Sequence, residues 1–90
     1  MRIARRYLIS GRVQGVGFRY FVHGAAVREG LNGWVRNLPT RHVEVLAEGD
    51  SGAMERFEQQ LRLGPSAARI DQVDTVDQAP SLGDTGFGIR

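Results

Sequence analysis

The residues best suited to chemistry in this chain of 90 residues stand close together, in the run Gln14-Gly15-Val16-Gly17-Phe18-Arg19. Glycine at positions 15 and 17 tolerates positive φ, so successive backbone N–H groups can turn into one concavity. The run leaves a β-prone segment and enters a helical periodicity. It therefore adds the unsatisfied N–H groups and the positive dipole end of a helix N-terminus. Such a pocket suits a tetrahedral oxyanion. Arg19, in the first helical turn, adds a planar two-pronged cation that stays charged at any working pH. Spacing alone leaves a second reading open, because a glycine-rich strand-to-helix turn also serves simply to reverse the chain.

Composition narrows the chemistry further. All twelve basic residues are arginine, so a lysine Schiff base and a lysine-bearing phosphate loop are both excluded. There is no cysteine, which removes disulfides, thiol nucleophiles and zinc–thiolate sites. The two histidines, His23 and His42, have no paired spacing and read as ordinary surface or packing residues, so no metal or cofactor is expected. Ser10 precedes the loop without an evident base partner. A formal charge of +2 is too small to argue for nucleic acid. No apolar run approaches a membrane span, and Met1 to Arg6 lacks the apolar core of a signal peptide. The expectation is a cytoplasmic monomer, one domain over residues 1–90, with no nucleic-acid or membrane partner.

The elements that must position the loop follow from periodicity. Ile3 to Ser10 reads as a strand, broken by Gly11. From Phe18 to Glu29, apolar residues at Phe18, Val22, Ala25 and Ala26 mark a helix, with Gly30 where a C-cap belongs. Leu31 to Leu38 and His42 to Gly49 read as a strand pair joined tightly enough to form a hairpin. In the second strand Val43, Val45 and Ala47 alternate with His42, Glu44 and Glu48. Asp50 or Ser51 can cap a second helix whose apolar face is Met54, Phe57 and Leu61, ended by Gly64-Pro65. Arg69 to Val76 is a fourth strand. Phe87 and Ile89 suggest a short fifth after a loop.

The order β-α-β-β-α-β predicts an α+β, ferredoxin-like sandwich, with two helices on one face of an antiparallel sheet and a short C-terminal strand. Its first two strands run parallel through a right-handed helical crossover, with the third inserted between them. The loop after the first strand, the N-terminus of the first helix and the end of the second strand then share one end of the sheet. There, roughly 9–10 Å apart across the inserted strand, Arg19 and Asn37 can reach one small ligand. Arg36 should point to the opposite face from Asn37.

Val13-Gln14-Gly15-Val16-Gly17-Phe18-Arg19, together with Gly33-Trp34-Val35-Arg36-Asn37, strongly resembles acylphosphatase. The resemblance continues through Val43-Glu44-Val45, Ala47-Glu48-Gly49, Gly64-Pro65 and Gly86-Phe87-Gly88-Ile89-Arg90, essentially the whole chain. It implies hydrolysis of small-molecule acyl phosphates without a metal or cofactor, with inorganic phosphate as product and inhibitor. It also implies roles: Arg19 holds the phosphoryl group, the amides from Gln14 to Arg19 cradle its oxygens, and Asn37 orients the attacking water. One departure is the hairpin tip, where Thr40-Arg41 replaces the family's frequent Asp-Gly type of turn.

Two other expectations concern the surroundings of the site. Gln14 to Phe21 also resembles an RNA-binding RNP1 string in its glycines and aromatics, but RNP1 belongs on a third strand and this run follows the first. Glu44, Glu48, Glu55 and Glu58 read as the exposed faces of a strand and a helix.

Overall fold

The computed structural model describes residues 1–90. Five strands and two helices alternate as β1 (Arg2–Arg12), α1 (Phe18–Arg28), β2 (Asn32–Asn37), β3 (Val43–Asp50), α2 (Ser51–Leu63), β4 (Arg69–Gln78) and β5 (Phe87–Ile89). The sheet order is β4-β1-β3-β2-β5, so β3 does lie between the parallel strands β1 and β2. The ferredoxin-like sandwich is as the element order predicts.

Both helices pack on one face of the sheet because both carry a narrow apolar stripe. Phe18, Val22, Ala25 and Ala26 of α1 and Met54, Phe57 and Leu61 of α2 are buried against Tyr7, Ile9, Val35, Val43, Val45 and Ala47. Each large apolar side chain buried this way contributes about 1.5–3 kcal/mol. The rings of Tyr7 and Phe57 meet edge to face at 6.1 Å. The C-terminus of α1 closes as a Schellman motif: Leu31 N–H donates to the Ala26 carbonyl at 2.9 Å and Gly30 N–H to that of Val27 at 3.1 Å.

Three features differ from the sequence expectation. First, Gly11 does not end β1. The β1–β4 register shifts between Ser10 and Gly11, and pairing continues through Arg12 opposite Arg69. A Cβ at Gly11 would lie 2.1 Å from the Arg69 carbonyl oxygen, so the glycine here permits close backbone approach within a bulge. Second, the sheet is mixed rather than purely antiparallel, because β5 pairs parallel to β2. β4 finishes at the end of the sheet where β1 begins. The connection over 79–86 crosses that end to the free edge of β2, and a strand entering there can only run parallel to β2.

Third, Glu44 and Glu48 are buried, at 2% and 1% exposure, rather than exposed. Alternation does put both on the face away from the helices, but that face is covered at each. Arg6 and Arg36 close over Glu44. Burial alone would raise its pKa; the hydrogen bonds from Arg36 and Arg6 outweigh this and lower it. Glu48 accepts the N–H groups of Ser81, Leu82 and Gly83 at 2.7, 3.0 and 3.2 Å, and Arg2 Nε at 2.8 Å. The Leu82 N–H leads in lowering its pKa from an ordinary 4.5 to about 2, against the opposing effect of burial. Trp34 packs on the same face, with the guanidinium groups of Arg36 and Arg90 at 5.0 and 4.8 Å from its ring.

Candidate active site

The end of the sheet opposite Glu48 holds the loop between β1 and α1. Gly15 and Gly17 adopt left-handed conformations, at φ 73° and 76°. Nothing lies within 4 Å of where a Cβ would stand at either position, so dihedral preference, not crowding, calls for glycine. Gly17 is the N-cap of α1 and offers no side-chain acceptor to the helix start. None of the N–H groups from Gly15 to Arg19 donates to a backbone carbonyl or a side chain. These are the orphan donors that a helix N-terminus leaves for a cap, for water or for an anion.

The loop borders a cavity of about 200 Å³ lined by Val13, Gly15, Gly17, Phe18, Arg19, Tyr20 and Asn37. That is below the ~300–1,000 Å³ of sites enclosing drug-sized ligands, and suits a small polar group. Phe18 and Val13, each 1% exposed, form an apolar floor. Arg19 enters none of the molecule's ion pairs, whereas seven other arginines do. Asn37 arrives from the last position of β2, paired with Val43 of β3. Its Oδ1 is buried and has no hydrogen-bond partner in the protein. Arg36, one residue earlier, points to the other face and engages Glu44 Oε1 at 2.6 Å, apart from the cavity.

Of the residues predicted for the site, the structure brings Gly15, Gly17, Phe18, Arg19 and Asn37 to one cavity. Gln14 and Val16 border the loop without lining the cavity. Val16 packs against the core. The Gln14 side chain turns to the β2–β3 hairpin, donating to the carbonyls of Leu38 and His42 at 2.9 and 3.0 Å. Val13 and Tyr20 line the cavity without having been singled out. Tyr20 carries the one available signal, a large aromatic off the apolar stripe of α1, and it is 74% exposed.

The hairpin itself is closed by Leu38 N–H to the His42 carbonyl at 2.9 Å, leaving Pro39, Thr40 and Arg41 as a three-residue tip. Arg41 takes the left-handed position of that loop type, at φ 73°, where glycine is usual. The RNP1 likeness dissolves here: Phe18 is a buried residue of α1, on a helix rather than a sheet surface.

Comparison with known proteins gives the family of the chain. The family model for acylphosphatase matches residues 5–89. The chain belongs to the acylphosphatase family. It is 51% identical over 86 residues to the acylphosphatase of Koribacter versatilis, covering 96% of this chain and 78% of that protein. The crystal structure of acylphosphatase from Bacillus subtilis superposes with a TM-score of 0.94 at 35% identity, covering 98% of both chains. The structure of an acylphosphatase from Coxiella burnetii matches with a TM-score of 0.93 at 30% identity, over 99% of this chain and 93% of that one. The cavity of this acylphosphatase-family chain therefore lies where sequence motif and fold agree, at the junction of β1, α1 and β2.

Proposed function

We propose that the chain hydrolyses the carboxyl–phosphate bond of small acyl phosphates, with Arg19 and the loop amides from Gln14 to Arg19 holding the phosphoryl group and Asn37 holding the attacking water. The observation that carries this reading is the pairing, in one cavity, of an uncompensated cation and free amides with a buried, unpartnered amide oxygen.

The chemistry asks for little more. A carboxylate leaving group is stable at neutral pH and needs no general acid. Water attacks phosphorus in line as the phosphorus–carboxylate oxygen bond breaks. The carboxylate departs with the bonding electron pair, and both water protons end on the phosphoryl oxygens, giving a carboxylate and dihydrogen phosphate. Catalysis of such a transfer is mainly positioning and charge stabilisation. Arg19 and the amides face the charge that spreads over the phosphoryl oxygens. Asn37 Oδ1 accepts a hydrogen from the water and so aims its lone pair. Its amide is too weak a base to take the proton, which leaves the phosphoryl oxygens as acceptors. The product, inorganic phosphate, fits the same cradle and competes with substrate. A module that merely binds phosphate would leave the buried Asn37 oxygen without a task.

The test is benzoyl phosphate hydrolysis in the presence of a metal chelator. Hydrolysis should persist with chelator, and Arg19→Ala should lower kcat/KM by at least ~100-fold, about 3 kcal/mol or more, with unchanged circular dichroism. Asn37→Ala should lower kcat while the inhibition constant of phosphate changes little. Near-normal turnover in Arg19→Ala, or lost phosphate binding in Asn37→Ala, sinks the assigned roles.

A further inference from the structure

The two halves of the site are not neighbours in the sheet. The loop hangs from β1 and Asn37 from β2, with β3 between them. No backbone hydrogen bond joins residues 13–17 to the β2–β3 hairpin. One side chain does. The Gln14 Nε2 donates both its hydrogens across the gap, to Leu38 O at 2.9 Å and His42 O at 3.0 Å. Leu38 follows Asn37 directly. His42 O also accepts the Leu38 N–H that closes the hairpin, so both bonds land on the neck of the hairpin, one residue from Asn37.

We propose that Gln14 is the positioning residue of this site. It ties the phosphate loop to the hairpin and thereby sets the distance between the loop amides and the water held by Asn37. The proposal rests on the hydrolytic reading above. Its physical reason is that the next residues, Gly15 to Gly17, include two left-handed glycines and donate no backbone hydrogen bond, their one backbone bond being the Gly17 carbonyl accepting Phe21 N–H at 3.0 Å, so little within the loop fixes its position. In-line attack is sensitive to errors of about 1 Å between nucleophile and phosphorus, which can cost ~100-fold in rate. A planar amide with both hydrogens engaged defines that spacing better than any single contact. The Gln14 side chain, turned to Leu38 and His42, touches neither phosphoryl group nor water and acts through Asn37 and the loop.

Two variants test it, with wild-type benzoyl phosphate turnover as the reference. Gln14→Leu keeps the bulk and removes both donors. Its kcat should fall by ~10–100-fold, while the inhibition constant of inorganic phosphate, set by Arg19 and the amides, shifts by only a few-fold. Gln14→Glu sets a carboxylate against two carbonyl oxygens, a repulsion relieved when the carboxyl is protonated and can donate once. Its kcat relative to wild type should therefore recover as pH falls through the range of a raised carboxyl pKa, roughly 6 to 4. A purely structural role would lower the melting temperature without adding this acid limb. Unchanged kcat in Gln14→Leu, equal losses in kcat and phosphate binding, or no acid recovery in Gln14→Glu each overturns the positioning role alone. An inactive wild type overturns the hydrolytic reading and the positioning role with it. Should Gln14→Leu fail to fold, the comparison of Gln14→Glu at two pH values decides the matter within one protein.

Discussion

The two ends of the sheet use the same device, clustered backbone N–H groups, and treat it in opposite ways. At one end the amides of Ser81, Leu82 and Gly83 converge on Glu48, and the first turn of α2 is capped by Asp50, which accepts Gly52 N–H at 3.1 Å and lies 3.3 Å from the N-terminal ammonium. At the other end the amides from Gly15 to Arg19 and the guanidinium of Arg19 have no anion within the chain. Where the protein supplies its own carboxylate, the amide cluster holds the fold together. Where it withholds one, the N–H groups keep no acceptor within the chain, as the proposed phosphate site requires. Helix dipole and orphan N–H groups are equivalent at the start of both helices. The difference lies at the N-cap: an extended aspartate whose side chain caps α2, and a left-handed glycine with no side chain to cap α1.

Giving the open end a carboxylate of its own should produce the largest effect. In Gly17→Asp the new carboxyl enters the cradle, in a left-handed conformation that aspartate tolerates better than most residues and with no atom within 4 Å of its Cβ. Benzoyl phosphate turnover should drop ~100-fold or more, inhibition by inorganic phosphate should vanish, and circular dichroism should be retained. Activity surviving in this variant would show that the open N-terminus of α1 is not where phosphate sits.

Emptying the occupied end should cost stability and spare chemistry. For Glu48→Gln we expect a lower melting temperature at neutral pH with kcat retained. The folded pKa of Glu48 is depressed, so its stabilisation is complete above the ordinary 4.5 and is lost as pH falls towards about 2. The difference in melting temperature between wild type and Glu48→Gln should therefore be largest above pH 4.5 and close near pH 2. A difference that does not vary with pH would mean that packing, rather than the ionised carboxylate, holds the 79–86 connection. The smallest effect belongs to Asp50→Ala, which removes an exposed cap. Its melting temperature should fall by a few degrees with benzoyl phosphate kinetics unchanged, and an altered KM would show that the two ends are coupled.

The sequence by itself determined the elements and half of the candidate site. Periods of 3.6 and 2 are written locally in Phe18–Val22–Ala25 and Val43–Val45–Ala47, and the glycines, Arg19 and the helix start are adjacent in the chain, so local geometry alone brings together the groups of the proposed anion cradle. Asn37 joined them through topology, because a right-handed crossover leaves one end of the sheet for both. What only the tertiary structure decided involves partners far apart in sequence. Alternation tells which face Glu44 and Glu48 occupy, but not that Arg6 and Arg36 cover the first and that Ser81 to Gly83, 33 to 35 residues on, wrap the second. Gly11 looks like a strand terminus until Arg69 is placed against it. Gln14 looks like one more residue of the phosphate loop until its amide finds Leu38 and His42, 24 and 28 residues away. Hydrogen bonds and burial are satisfied in space, and a polar side chain carries no periodic signal of where its partner will come from.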